Sequence, residues 1–128
     1  MMQGIVSSGL GKAAGFVSVA WVHRELSRLL EAPPFPGTLN LRISAVERAV
    51  LFDARETFLR IADPQDPACA GYVKPVRLRA RGEMFTEAWM ILPELTAHPD
   101  VIEIVSPQHL RAALDLRDGD LVELDGLI

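Results

Sequence analysis

The sequence predicts a mainly β chain leaning to α+β, a small closed β-barrel with two or three short helices. Short apolar runs with period-2 alternation recur, as where Val76, Leu78 and Ala80 alternate with Arg77 and Arg79. Turn signals at Pro36-Gly37, Arg81-Gly82 and Asp118-Gly119 punctuate these runs. Helical periodicity is confined to a few stretches. That distribution fits a closed barrel better than the regular alternation of a βαβ sheet.

Taken in order, Gly4 to Ser8 and Phe16 to Ala20 read as strands around a glycine turn. Val22, Leu26, Leu29 and Leu30 recur at i, i+4, i+7 and i+8, which predicts an amphipathic helix over Trp21 to Glu31. It must stop before Pro33, since proline has no amide proton and restricts the preceding residue. Pro36-Gly37 fits the centre of a type II turn, and Thr38 to Ile43 is a strand. Ser44-Ala45-Val46-Glu47 has the form of a capping box opening a short helix. Thr57 to Ile61 is open between helix and strand, and Asp63 to Pro67 is a loop. Strands follow at Val73 to Ala80, Glu83 to Leu92 and Val101 to Val105. Ser106 as N-cap and Pro107 at the first helical position predict a helix to Leu114. Asp118-Gly119 then turns the chain into a last strand, Leu121 to Leu124.

At 128 residues the chain is sized for one domain, residues 1–128, with a real core. No apolar run reaches the roughly 18–20 residues needed to span a bilayer, so no membrane role is expected. Met1-Met2-Gln3 carries no basic side chain and has no signal-peptide form. A single cysteine, Cys69, cannot form an internal disulfide and reads as a spectator thiol in a loop, which suits a reducing cytoplasm. The net charge of −4 argues against a nucleic-acid binder that works by neutralising phosphates.

The chemistry-bearing residues cluster in a few places. Thr38 and Asn40, two apart on a strand, point to one face while Leu39 and Leu41 point into a core. A hydroxyl and an amide carbonyl suit a hard cation that keeps waters and phosphate oxygens as its other ligands, and Arg42 on the same face could add a phosphate contact. The competing reading is ordinary turn and strand residues. Gly9-Leu10-Gly11-Lys12-Ala13 is not a Walker loop, because no Ser or Thr follows the lysine. Its glycines would let backbone amides face an anion, with Lys12 adding charge, or it is a plain hairpin turn. The N-terminus of the helix after Ser106 is a second anion candidate. His23, His98 and His109 share no zinc-ligand spacing. Trp21 and Trp89 read as core or rim residues.

Four segments occur in one order: Ser8 to Lys12, Pro34-Phe35-Pro36-Gly37-Thr38-Leu39-Asn40-Leu41, Val101 to Pro107 with Leu110-Arg111, and Leu116 to Glu123. In this the chain resembles the CTP-dependent riboflavin kinase family over about Gly4 to Leu124. The resemblance implies a six-stranded cradle-loop barrel that moves the terminal phosphate of a nucleoside triphosphate, CTP, to riboflavin, giving FMN and CDP. It implies that Gly9, Leu10, Gly11, Lys12, Ala13 and Ala14, with Gln108, His109, Leu110 and Arg111, hold the nucleotide. It further implies that Thr38 and Asn40 bind Mg2+, and that Thr96 and Glu103 contact the flavin. Glu103 would orient or deprotonate the ribityl hydroxyl; otherwise it is a solvent-facing strand residue. The chain departs from the family pattern at Ala13, Gly15 and Ala97, which motivates an alternative, a non-catalytic flavin- or nucleotide-binding module.

Overall fold

A computed structural model describes residues 2–8, 17, 19–93 and 100–126. The strands are β1 (Met2–Ser7), β2 (Leu39–Arg42), β3 (Leu59–Asp63), β4 (Asp66–Ala80), β5 (Glu83–Pro93), β6 (Val101–Val105) and β7 (Leu121–Asp125). The helices are α1 (Ala20–Leu30), α2 (Ala45–Asp53) and α3 (Leu110–Ala113), with a 3-10 turn at Arg55–Thr57. The strands form one antiparallel sheet in the order β3-β4-β5-β6-β2-β1-β7, and a further β4–β7 pairing closes it. Six strands therefore make a closed ring, and β3 lies outside it.

β4 is long enough to serve both purposes. Its N-terminal half pairs with β3 through Leu59↔Val73 and Ile61↔Gly71. Its C-terminal end pairs with β7 through Arg77↔Asp125 and Arg79↔Glu123. A register shift between Val76 and Leu78 re-aims the strand where it turns to meet β7.

Alternation then sorts the side chains. Val6, Leu39, Leu41, Leu78, Met90, Ile102, Ile104 and Leu124 fill the barrel, with Leu51 and Phe58 joining from the α2 side and Leu110 and Leu114 from α3. Gly4 lets β1 approach β2: a Cβ there would lie 2.8 Å from Leu41 Cβ. The outward residues Ile61, Val73, Ile91 and Val105 form a second apolar cluster with Val17 and with Trp21, Val22 and Leu26 of α1. Full burial of such side chains stabilises by about 1.5–3 kcal/mol each, which explains why α1 packs on the outside of the ring. Trp21 is buried and Trp89 half-buried in this cluster.

Most predicted elements lie within one or two residues of the observed ones. The capping box at Ser44 forms as expected, with Glu47 N donating to Ser44 Oγ at 3.0 Å. Four expectations are corrected. Val17 is helical and Ala20 opens α1, so the strand expected over Phe16 to Ala20 is not present at its described positions. The Asp63 to Pro67 loop shrinks to a two-residue turn, since Asp63 Oδ1 accepts Gln65 N at 2.9 Å and β4 starts at Asp66. Cys69 consequently lies on β4, exposed, rather than in a loop. Ser106 does not cap a helix. Its Oγ accepts Gln108 N at 3.1 Å and its carbonyl accepts Phe35 N at 2.7 Å, so helix starts only at Leu110, with His109 as N-cap. Among the described residues no helix is long and apolar enough to cross a membrane.

Candidate functional site

The turn at Pro36-Gly37, with Gly37 at φ 97, delivers Thr38 to the start of β2. Leu39 and Leu41 are 2% and 0% exposed inside the barrel, which fixes the strand's facing. Thr38 and Asn40 therefore share the outer face, and Thr38 Oγ1 donates to Asn40 Oδ1 at 3.4 Å. Two oxygens at that separation compare with the roughly 3 Å edge of an octahedron built on about 2.1 Å metal–oxygen distances. The pair thus fits as two corners of a magnesium site, with waters and phosphate oxygens at the others. Arg42 lies further along the same face and is ion-paired to Asp100 at 3.5 Å.

Register extends this face across three strands. Ser7 of β1 pairs with Asn40, Asn40 pairs with Glu103 of β6, and Glu103 pairs with Ile91 of β5. Directly opposed residues point to one side of a sheet, so a hydroxyl, an amide and a carboxylate stand in a row. Asn40 is 9% exposed. Ser7 Oγ and Glu103 Oε2 are buried and have no hydrogen-bond partner among the described residues. Burial pushes the Glu103 carboxyl up to about 7. The alternative of a solvent-facing strand residue does not hold for Glu103.

Thr38 also lines a cleft of about 150 Å3 whose opposite wall is Gln108, His109, Leu110 and Arg111. The structure therefore brings Thr38 of the expected metal pair, though not Asn40, and the expected second nucleotide segment to one cleft. The Phe35 and His109 rings, both in its lining, stack face to face, centroids 4.4 Å apart and planes 5° from parallel. At its edge Arg111 Nη2 lies 2.9 Å from Asp118 Oδ1, and Asp118 Oδ2 accepts Ser8 Oγ at 2.5 Å. A larger, shallower groove of about 550 Å3 near Ile5 and Leu121 holds, of the expected ligand contacts, Arg42 alone. Gly9 to Ala14 and Thr96 lie outside the described residues, as do Gly15 and Ala97.

Ser7, Phe35 and Asp118 were not read as site residues: the sequence marked Phe35 only within the Pro34 to Leu41 segment and Asp118 only as a turn residue. The pairing of distant segments gives each its neighbours.

A closed barrel that keeps a carboxylate, an amide and a hydroxyl in register outside its core, next to a cleft, belongs with small-molecule-binding barrels rather than with purely structural ones. A family model for CTP-dependent riboflavin kinases, described as "Domain of unknown function DUF120", matches residues 6–125. The chain belongs to this family, and the family is one of enzymes, kinases. A riboflavin kinase of Methanopyrus kandleri is 32% identical over 91% of this chain and 76% of its own length. One of Pyrobaculum arsenaticum is 38% identical over 99% of the chain and 60% of its own length. One of Saccharolobus solfataricus is 34% identical over 97% of the chain and 72% of its own length. The chain thus spans well under two thirds of the Pyrobaculum relative.

Proposed function

We propose that this protein phosphorylates riboflavin to FMN, taking the terminal phosphate of CTP in the presence of Mg2+. The observation that carries the reading beyond family membership is the in-register pair Asn40 and Glu103 beside the Thr38 cleft. Riboflavin kinases are what the cited relatives are named, and the name of the family model suggests CTP as the donor. Thr38 and Asn40 are the residues that would hold magnesium, which neutralises phosphate charge when bound.

The chain's own residues have distinct tasks. Glu103, with a free carboxylate oxygen in a water-poor position, takes the proton from the ribityl hydroxyl. The ribityl oxygen so freed of its proton attacks the γ-phosphorus, the bond to the β-phosphate oxygen breaks, and CDP leaves with the electron pair. Gln108 to Arg111 and the segment Gly9 to Ala14 bind and orient the nucleotide, and Thr96 with Glu103 orients the flavin. Phosphoryl transfer asks mainly for such positioning.

Glu103→Gln is the direct test. FMN formation should fall by about 10²-fold or more, the usual contribution of a positioned base, while riboflavin still binds. Unchanged turnover would reduce Glu103 to a structural role. The departures at Ala13, Gly15 and Ala97 support a second reading, a module that binds flavin or nucleotide without turnover. Ligand binding by a wild-type protein that forms no FMN would favour it.

A further inference from the structure

We propose that Asp118 is a positioning residue for the nucleotide: held by Ser8, it fixes the direction of the Arg111 guanidinium at the edge of the cleft. The inference rests on the reading that Gln108 to Arg111 hold the nucleotide.

Asp118 lies outside Gln108 to Arg111; it sits in the turn that leads into β7. Its two carboxylate oxygens serve different partners. Oδ2 accepts Ser8 Oγ at 2.5 Å, and Oδ1 faces Arg111 Nη2 at 2.9 Å. Ser8 immediately precedes Gly9, and Arg111 lines the cleft that also contains Thr38. The Ser8 and Arg111 hydrogen bonds hold the Asp118 carboxyl below the usual range, so it stays charged at working pH.

The turn that presents Asp118 is itself braced. Gly119 N donates to Val6 O at 2.8 Å, and Val6 N donates to Asp120 O at 2.9 Å, pinning the turn to β1 just before Ser8. Asp120 Oδ2 accepts Arg117 N at 2.8 Å and Arg81 Nη2 at 3.0 Å. Asp118 therefore acts from a fixed point. Its side chain is 58% exposed and that of Arg111 32%, so the pair adds little to stability. What it supplies is direction: it orients one cation before the ligand arrives. Without it the nucleotide would have to order the Arg111 side chain at the expense of its own affinity.

The experiment compares wild type with Asp118→Ala, Asp118→Asn, Ser8→Ala and the double variant Ser8→Ala/Asp118→Ala. CTP affinity is read by calorimetry, and KM and kcat by FMN formation. In Asp118→Ala the CTP Kd and KM should rise about fivefold, the scale of an exposed charged contact. The riboflavin KM, kcat at saturating CTP and thermal transition should hold. Asp118→Asn, which keeps an acceptor oxygen, should recover part of the loss. The double variant should be no worse than Asp118→Ala alone, since both remove one link. Unchanged CTP affinity in Asp118→Ala would overturn the proposal. So would tighter binding, which would make Asp118 a competitor of phosphate for Arg111, or an equal loss of riboflavin affinity. If wild type itself fails to bind CTP, the underlying reading falls and the inference with it, before any substitution is compared.

Discussion

Glu103 is the residue on which chemistry and stability pull in opposite directions. The unfolded chain releases this proton near 4.5, whereas the folded one holds it to about 7 because the carboxyl is desolvated. Stability from the neutral form is therefore full below pH 4.5 and is lost as pH rises through 7. With Glu103 as the proposed base, turnover would need the ionised form, so FMN formation should rise with pH through about 7 and then level off. Glu103→Gln should raise the melting temperature at pH 8, by the equivalent of at most about 3 kcal/mol, and leave it nearly unchanged at pH 4. Thermal melts at the two pH values check this; an equal effect at both would mean that the carboxyl is solvated. Asn40→Ala, by contrast, should abolish magnesium-dependent turnover with little change in the thermal transition. A variant that unfolds or stays fully active would remove Asn40 from the metal site. The Thr38 and Asn40 pair was legible in sequence, because period-2 alternation alone places both on the face opposite Leu39 and Leu41. The burial of Glu103 was not. It depends on the register that sets it between Asn40 and Ile91, and register is a property of three strands together.

At the scale of elements, β2 carries both the site and part of the core. Leu39→Ala should cost about 2–5 kcal/mol through the cavity it leaves, read by denaturant unfolding, with ligand affinity retained in the folded fraction. Gly4→Ala should also destabilise, because its Cβ would meet Leu41 Cβ at 2.8 Å in the β1–β2 pair. Elements with strong local signals were readable: the α1 stripe of Val22 and Leu26, the Ser44 capping box, and the Arg81-Gly82 turn with φ of 51° and 77°. The start of α3 was misread from an equally good local signal. Ser106 and Pro107 look like a helix opening, yet a tertiary bond from Phe35 N to the Ser106 carbonyl and the Ser106–Gln108 turn defer it to Leu110.

For the whole molecule, pairing of β1, β2 and β6 within the closed ring sets Ser7, Asn40 and Glu103 in one row, and Gln108–Arg111 share a cleft with Thr38. The number of strands was nearly readable from the alternating runs. The length of β4 and the outside position of β3 were not, since Thr57 to Ile61 carries no decisive period and the β3–β4 turn is held by a side chain. Purified protein given riboflavin, Mg2+ and, in separate reactions, CTP, ATP, GTP and UTP, with FMN followed chromatographically, tests the central claim most directly. FMN from CTP, lost on adding a chelator, is the expected result. A folded protein that binds riboflavin yet makes no FMN from any donor would contradict it.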